Sequence, residues 1–279
     1  MKHGLAAAVI LCVLCASVTA ALAEPQRIMS LKLCTDELLM DLAPPSRIAS
    51  VTFLSREKSA LRLWPQAAKL RVNHNTAEEV LAQKPDLILT DTFTSPSMLA
   101  LIAHSGARVV EVPPAEDFAG IRRATRQVAA AVGEEARGEA LIARMDAQLG
   151  ALATGRPKRV IRVAGWGGGG YVPGRGSLFD AILRAAGGRN IVAAADGYYD
   201  VESLLAARPD ILAFGDDYND TPSLRADQND HPVLMKFFAH RRIIYPSALY
   251  GCGAPESAAA AIRLRASLVV AMRRPGGVP

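Results

Sequence analysis

The sequence carries none of the short motifs that mark the common hydrolases and nucleotide-binding enzymes. It has no Gly-x-Ser-x-Gly nucleophile elbow and no Gly-Lys-Ser/Thr phosphate loop. A glycine-rich run at residues 165–170 follows a predicted strand, where a phosphate-binding loop would stand. However, residues 171–173 separate this run from the next helix, which Ser177 is placed to cap. The pattern therefore predicts a flexible cleft loop in a protein that is not an enzyme.

Histidines, which commonly bind free metal ions, do not cluster in the sequence. The histidines that follow residue 23 are His74, His104, His231 and His240, and none forms an HExxH or His-x-His pair. His74 falls in a predicted cleft loop, so we expect it to contact a ligand. The spacing predicts no resident metal or other cofactor. A dedicated zinc or manganese receptor stays open as an alternative, as does an exported enzyme on a similar scaffold.

Aromatic side chains are concentrated where predicted strands end. They make up only 5% of the chain, yet several lie at or just beyond strand ends: Phe53, Phe93, Trp166, Tyr171, Tyr198, Tyr199 and Tyr250. In open α/β sheets, the carboxyl ends of parallel strands form the ligand crevice. Flat apolar rings with polar tips suit a large planar or chelate ligand. We therefore predict that Phe53, Trp166, Tyr171 and Tyr250 bind the ligand.

Basic residues are scattered along the chain and give it a mild positive charge. The formal charge is +5, and it becomes +4 without Lys2, the one charged residue among the first 23. This balance does not favour a nucleic-acid partner, but it tolerates an anionic ligand. Arg56, Arg71 and Arg175 fall in predicted cleft loops, where guanidinium groups suit the carboxylates or catecholates of a chelate.

The elements that must position these residues alternate between strand and helix. Such alternation predicts parallel βα units. Residues 24–115 are predicted to form a first α/β lobe and residues 154–279 a second one. Between them, residues 116–153 are almost entirely helix-forming, with Gly133 the one clear interruption. The predicted fold is two α/β lobes with mainly parallel sheets, joined by a long backbone helix.

An internal repeat supports the division into two lobes. The segment at residues 76–89 recurs 124 residues later at residues 200–213. In each copy a predicted helix ends at a basic residue before Pro-Asp and an apolar strand. Thr76 and Glu79 also have the spacing of a capping box, which predicts where the first of these helices begins.

The first 23 residues have the features of a secretory signal. A positive residue precedes a short apolar stretch, and Ala-Leu-Ala precedes Glu24 as a small-residue cleavage site. The apolar stretch at residues 5–14 is too short for the roughly 20 residues of a spanning helix. No small residue precedes Cys12 or Cys15, so lipidation is not predicted. We expect a monomer in the periplasm.

Two cysteines follow the signal, Cys34 and Cys252. They are 218 residues apart and belong to no CxxC pair, so they form neither a disulfide framework nor a thiolate metal site. Each directly precedes a predicted helix at a strand end. We therefore expect them to approach each other at the cleft, where export would permit a disulfide.

Several segments together resemble the Fe/B12 class of periplasmic binding proteins. These are residues 27–38, residues 78–89, the long linking helix and residues 176–190, and the likeness covers roughly residues 26–272. The resemblance implies two lobes with a rigid helical hinge, a ligand between them, and docking at the lobe tips to the membrane permease of an ABC importer. It also implies one acidic docking residue per lobe, and the matching positions are Glu78 and Glu202.

The resemblance leaves the identity of the chelate open. Phe53, Tyr171 and Tyr250 match positions at which vitamin B12-binding members hold the ring system with aromatics. The loop at residues 71–75 lacks the tryptophan expected of those members. An iron–siderophore is slightly favoured because of the cleft arginines, and cobalamin and haem stay open.

Overall fold

The N-terminal half of the chain builds a five-stranded sheet in which every neighbouring pair of strands is parallel. In this computed structural model the described residues are 24–57, 62–155, 159–193, 196–215, 231–245 and 249–273. The sheet order is β3-β2-β1-β4-β5. Its strands are β1 (Ile28–Ser30), β2 (Ile48–Thr52), β3 (Val72–Asn73), β4 (Leu87–Thr90) and β5 (Arg108–Glu111). The helices between them are α1 (Leu33–Leu42), α2 (Trp64–Ala67), α3 (Ala77–Gln83) and α4 (Pro96–Ala103). The predicted signal, residues 1–23, lies outside the described residues.

A helical segment follows the first sheet, but it is two helices rather than one. They are α5 (Phe118–Val132) and α6 (Glu135–Thr154), and they meet at Gly133. Gly133 has a left-handed backbone (φ 75°), which ends α5 at little steric cost because glycine has no Cβ. The 20 residues of α6 make it the long backbone helix of the prediction. The two helices pack tightly, since a Cβ on Gly138 would lie 2.6 Å from that of Ala129.

The C-terminal half repeats the parallel arrangement with four strands. Their order is β11-β10-β6-β8, and a separate antiparallel pair is formed by β7 and β9. The strands are β6 (Ile161–Trp166), β7 (Tyr171–Val172), β8 (Gly188–Asn190), β9 (Gly197–Tyr198), β10 (Ile211–Gly215) and β11 (Arg242–Tyr245). The helices are α7 (Leu178–Ala186), α8 (Val201–Ala207), α9 (Pro232–Phe237) and α10 (Ser257–Arg273). The two-lobed α/β fold predicted from the sequence is therefore confirmed.

The central strands of both sheets are apolar because helices cover both of their faces. Strands β1, β4 and β10 are buried along their whole length. Each sheet has its own hydrophobic core, and α5 and α6 contribute side chains to both cores. Within the described ranges, no helix combines the length and apolar character needed to span a bilayer.

The sequence repeat corresponds to two matching helices. Both α3 and α8 are seven residues long, and a side chain caps each of them. Thr76 accepts a hydrogen bond from the third residue of α3, and Asp200 does the same in α8. Both helices end at a basic residue in the left-handed conformation, Lys84 or Arg208, each with φ 48°.

The match between the halves extends to the strands that flank these helices. The Asp86 carboxylate accepts the main-chain N–H of Arg27 at 3.0 and 3.1 Å, and Asp210 accepts that of Arg162 at 2.8 Å. Arg27 donates in turn to the carbonyl of Gln83 at the end of α3, and Arg162 donates to the carbonyl of Ala207 at the end of α8. Carbonyls at the end of a helix lack a partner within the helix. The Pro-Asp of the repeat thus fastens α3 and α8 to their sheets in the same way.

Candidate functional site

Two cavities lie at the carboxyl edges of the two sheets. One, of about 270 Å³, is lined by residues that follow β1, β4 and β5, and the other, of about 390 Å³, by residues that follow β6 and β11. Both include Pro114 and Ala115, in the segment that leads from β5 to α5. The carboxyl ends of the strands in the two halves therefore border two cavities that adjoin at Pro114 and Ala115, at the sheet edges where α/β proteins bind ligands. We call these two adjoining cavities the cleft.

The wall of the cleft on the side of the second sheet is aromatic. The rings of Tyr245 and Tyr250 have centroids 4.4 Å apart, and Phe179 packs against both at 5.4 and 6.0 Å. These three and Tyr171 line the larger cavity. The sequence prediction included Tyr171 and Tyr250 but missed the other two. Tyr245 is the last residue of β11, so the strand-end criterion that selected Tyr171 would also have selected it.

Tyr171 is held in a defined orientation within this wall. Its hydroxyl donates to Asp196 Oδ2 at 2.5 Å, and Asp196 Oδ1 accepts the main-chain N–H of Gly174 at 2.7 Å. The Tyr198 ring lies edge-on to Tyr171, with centroids 6.0 Å apart. Asp196 also lines the cavity, and sequence reasoning did not select it.

Tyr250 contributes a neutral hydroxyl to the wall. Burial raises the pKa of this group above its ordinary value, and the positive charge of Arg263 only partly offsets the shift. The hydroxyl therefore stays protonated across the physiological range. It can donate a hydrogen bond but does not supply a phenolate.

A stacked aromatic pair at the carboxyl edge of the first sheet lines neither cavity. The Phe53 and His74 rings have centroids 5.3 Å apart and planes inclined by 23°. Phe53 follows β2 and His74 follows β3, so parallel strands place them side by side at the carboxyl edge. Both side chains are largely accessible, at 44% for the Phe53 residue and 62% for the His74 side chain. Neighbouring Leu54 lines the smaller cavity.

Glu79 contacts both His74 and the start of its own helix. Thr76 caps α3 as predicted, and a backbone hydrogen bond from Thr76 is one of the interactions that lower the pKa of Glu79, as in a capping box. Glu79 Oε2 accepts the main-chain N–H of His74 at 2.6 Å, and its Oε1 lies 3.0 Å from His74 Nδ1. Desolvation raises the pKa of Glu79, but the hydrogen bonds from His74 outweigh that effect, and the pKa lies below its ordinary value.

A buried carboxylate supports the turn that carries Phe53. Asp36 Oδ2 accepts the Thr52 N–H at 2.9 Å, the Thr52 hydroxyl at 2.6 Å and the Ser55 hydroxyl at 2.5 Å. Desolvation raises the pKa of Asp36 to about 6, although these hydrogen bonds and one from Ser30 act to lower it. Asp36 lies in the first turn of α1, beside the smaller cavity, and was not selected from the sequence.

A sequence profile of the periplasmic binding protein family matches residues 28–201. The chain belongs to this family. The match covers more than half of the chain, including the first sheet, the linking helices and the start of the second half. Comparison with curated protein sequences returned no match.

Solved structures of periplasmic binding proteins share the fold. The haem-binding protein RhuT from Roseiflexus sp. RS-1 is 22% identical, with a TM-score of 0.73 over 89% of this chain and 99% of its own. The haem-binding protein HutB of Vibrio cholerae is 19% identical, with a TM-score of 0.74 over 86% and 98%. The vitamin B12-binding protein BtuF of Vibrio cholerae is 18% identical, with a TM-score of 0.68 over 90% and 99%. The predicted likeness to the Fe/B12 class is thereby confirmed.

Trp166 does not belong to the cleft of this binding protein, which corrects the prediction from the sequence. It ends β6, but its side chain is 1% exposed and packs in a core cluster with Val172, Leu204 and Phe238. Tyr199 is partly buried against the same cluster. Strand-end position alone does not determine which side of the sheet a side chain takes.

The predicted arginines lie at the surface rather than in the cavity linings. Arg71 and Arg175 are exposed, and neither lines the larger or the smaller cavity. Arg56 is also exposed, and its guanidinium donates to the main-chain carbonyl of Leu70 at 2.7 Å. A ligand larger than the cavities would have to extend outward to meet these charges.

The two acidic residues selected for permease docking occupy matching positions. Glu78 and Glu202 lie in the first turns of α3 and α8, and both are exposed. Helix α3 follows β3 of the first sheet, and α8 follows β9 of the antiparallel pair. Among the described residues, neither acid forms an ion pair.

Cys34 and Cys252 form a disulfide in this binding protein, with their sulfur atoms 2.08 Å apart. Cys34 lines the smaller cavity, and Gly251, next to the partner cysteine, lines the larger one. The bond therefore lies at the junction of the two cavities. Nowhere in the described ranges do three or more His, Cys, Asp or Glu side chains come together to hold a metal ion.

Proposed function

We propose that this periplasmic binding protein captures a planar metal chelate between its lobes and delivers it to the permease of an ABC importer. The observation that carries the proposal is the aromatic lining of the larger cavity. Tyr171, Tyr245 and Tyr250 contribute to this lining, and Phe53 and His74 form a separate exposed stack at the carboxyl edge of the first sheet. Aromatic faces bind flat conjugated ligands well because both partners are large, rigid and apolar.

Several features support a chelate rather than a bare ion as the cargo. The cleft offers rings, hydroxyls and peripheral arginines, and these groups recognise an organic ligand with anionic substituents. RhuT and HutB are named as haem-binding proteins, and BtuF as a vitamin B12-binding protein. Ferric haem is therefore the first ligand to test, with cyanocobalamin, a ferric siderophore and zinc as the comparisons.

We propose that Glu78 and Glu202 dock the loaded protein to the permease. Exposed carboxylates at helix N-termini can pair with arginines of a partner, and such complementarity orients the complex and speeds association. The alternative is that each acid has only a structural role. A carboxylate near a helix N-terminus interacts favourably with the helix dipole and stabilises the helix by roughly 0.3–1 kcal/mol. That alternative accounts for each acid singly but not for their matching positions in the two halves.

A charge-reversal experiment separates docking from binding. The double variant Glu78→Arg/Glu202→Arg should abolish uptake by cells, while ligand affinity of the purified protein stays within about twofold. Glu135→Arg is the matched control, because Glu135 is also an exposed acid in the first turn of a helix, α6. If cells with the double variant still take up the ligand, the docking role is wrong and the repeat serves only the fold. Loss of ligand affinity would show that the acids belong to the cleft.

The mature form of the protein follows from the same proposal. We propose export through the signal at residues 1–23, no lipid anchor, and a monomer that begins at Glu24. N-terminal sequencing and intact mass of the periplasmic protein check the first two points, and light scattering checks the third. A retained Met1 in a cytoplasmic fraction would contradict the proposed route.

A further inference from the structure

We propose that the disulfide between Cys34 and Cys252 positions the cleft for its cargo, so that the oxidised protein binds the chelate more tightly than the reduced protein. This inference rests on the proposed function, because it concerns the same cleft. It gives the bond a part in ligand binding that is separate from its effect on stability. The affinity for cargo then depends on the redox state of one bond.

The segment that contains Cys252 contributes to the lining of both cavities. Gly251 lines the larger cavity, and Gly253 lines the smaller one. Tyr250, which directly precedes Gly251, belongs to the aromatic wall of the larger cavity. A displacement of residues 250–253 therefore changes the shape of both cavities.

Backbone hydrogen bonds do not fix this segment. Within the part of the chain that the structure describes, residues 251–253 form no hydrogen bond between main-chain groups. Glycines flank Cys252 on both sides, and glycine populates more backbone conformations than other residues. Cys252 has the one side chain among these three residues, and it is 4% exposed. The bond to Cys34 is therefore the main constraint on where the segment lies.

Cys34 gives the segment a rigid point of attachment. It lies in the first turn of α1, where the Lys32 carbonyl accepts the Thr35 hydroxyl and the Asp36 N–H, each at 2.9 Å. The Thr35 hydroxyl is also 2.8 Å from that of Ser30, the last residue of β1. Because β1 is the central strand of the first sheet, the disulfide joins a weakly constrained loop to a well-constrained one.

The segment packs closely against the chain that separates the two cavities. A Cβ on Gly253 would lie 2.7 Å from both the Cβ and the carbonyl oxygen of Ala115. Ala115 lines both cavities. Opening the disulfide would free the segment to move away from Ala115. Part of the binding free energy would then be used to order the segment, so the affinity would fall.

The redox step is a thiol–disulfide exchange with a small dithiol. Two electrons and two protons pass from the dithiol to the protein, the bond between the two sulfur atoms breaks, and the dithiol closes into a cyclic disulfide. Cys34 is partly exposed and lines the smaller cavity, so a small dithiol can reach it. Because binding and reduction are coupled, the ligand must protect the bond by the same factor by which the bond strengthens binding.

Titration of the purified protein with hemin and with cyanocobalamin measures the effect without a reductant. Cys34→Ser/Cys252→Ser should bind about tenfold more weakly than wild type, at a temperature where circular dichroism shows both to be folded. Ile102→Ala is the control for lost stability alone, because Ile102 is fully buried in a separate core cluster and lines neither cavity. It should melt at a lower temperature and keep the wild-type affinity. Equal, tight binding by wild type and the double variant would overturn the inference and leave the carrier function standing.

Gly253→Ala tests the positioning with the disulfide intact. The added Cβ should push the segment away from Ala115 and weaken binding to a similar extent as loss of the bond. Since this variant retains the disulfide, it is informative even where the double variant does not fold. An unchanged affinity would show that the position of the segment does not matter to the ligand.

The wild-type protein provides a measurement that needs no variant. Zinc protoporphyrin is the probe, because thiols do not reduce its metal. At saturating probe, the equilibrium with reduced and oxidised dithiothreitol should shift about tenfold toward the disulfide, or about 30 mV for this two-electron couple. Alkylation of free thiols followed by mass spectrometry gives the ratio of the two forms. An equilibrium that the probe does not move would overturn the inference. Failure of oxidised wild type to bind hemin, cyanocobalamin and zinc protoporphyrin would overturn the proposed function as well.

Discussion

Cys34 and Cys252 are joined across the cleft junction although 218 residues separate them in the sequence. Cys34 belongs to the start of α1, in the first half of the fold, and Cys252 to the segment between β11 and α10. The bond thus ties the first half of the fold to the segment that leads into the last helix. It restrains the walls of both cavities at the point where they meet.

Loss of this disulfide should destabilise the protein substantially. Closing a loop of this length removes much of the entropy of the unfolded chain, so Cys34→Ser/Cys252→Ser should lower the free energy of unfolding by roughly 3–5 kcal/mol. Urea denaturation of oxidised wild type, reduced wild type and the double variant measures the effect. The reduced protein and the double variant should coincide. Identical stability of all three would show that the bond does not form in solution.

Substitution of Tyr171 should weaken binding without loss of the fold. Removing a stacked ring from a ligand-binding surface costs about 2 kcal/mol, or roughly thirtyfold in affinity. Tyr171→Ala should therefore bind hemin about thirtyfold more weakly. Tyr171→Phe, which keeps the ring and loses the bond to Asp196, should be intermediate. Phe237→Ala removes an exposed ring from α9 and serves as the control. Equal affinity in all three variants would return Tyr171 to a packing role.

Testing the role of Tyr250 in binding needs a more conservative substitution than testing that of Tyr171. Its ring is largely buried against Tyr245 and Phe179, so Tyr250→Ala should cost about 3 kcal/mol of stability through the cavity it leaves. Tyr250→Phe keeps the ring and removes the hydroxyl. We expect this variant to retain its melting temperature and to lose affinity only if the hydroxyl donates to the ligand. An equal loss of stability in both variants would contradict the packing described.

Protonation of Asp36 should stabilise the fold, opposite to the usual effect of acid on a carboxylate. The pKa of Asp36 is raised from 3.8 in the unfolded chain to about 6 in the folded protein. Its contribution to stability is therefore complete below about pH 4 and is lost as the pH rises through about 6. Between about pH 7.5 and pH 5, wild type should gain about 1 kcal/mol relative to Asp36→Asn.

Urea denaturation of both proteins at several pH values measures this difference. Glu139→Gln is the control with opposite sign, because hydrogen bonding to Arg126 lowers the pKa of exposed Glu139. Wild type should lose stability relative to that variant as the pH falls. A constant difference between wild type and Asp36→Asn would mean that Asp36 titrates normally.

The hydroxyl of Thr52 gives a matched test of the turn that presents Phe53. Thr52→Val keeps the shape and removes the hydrogen bond to Asp36, whereas Thr52→Ser keeps the hydrogen bond and removes a methyl group. If hydrogen bonding positions the turn, Thr52→Val should raise hydrogen exchange at residues 53–56 and weaken hemin binding about fivefold, while Thr52→Ser resembles wild type. The reverse ranking would assign the role to packing.

The repeated segments were the most informative part of the sequence. Residues 76–89 predict a helix that ends at a basic residue, followed by Pro-Asp and a strand. The structure confirms the helix, its end and the strand. Local chemistry explains this success, because caps, prolines and apolar runs act over a few residues. The Asp86 bond to the Arg27 N–H was not predicted, because it joins residues 59 apart.

The composition of the site depended on packing that the sequence does not show. Trp166 and Tyr171 both follow from the strand-end criterion, but only Tyr171 lines the cavity, because sheet register decides which face a side chain takes. Asp36 was not predicted as a residue that supports the site, because its hydrogen-bond partners Thr52 and Ser55 lie 16 and 19 residues away in the sequence. Such networks become visible only when the strands and α1 are assembled.

The most direct test of the proposed carrier function is the mass of the ligand that accompanies the protein from its own cells. Native mass spectrometry of protein isolated from the periplasm should detect a one-to-one complex with an organic chelate whose isotope pattern contains iron or cobalt. The same preparation of a Tyr171→Ala variant should be largely free of that ligand. Recovery of a bare divalent ion, or of an amino acid, sugar or other metal-free solute, would contradict the account.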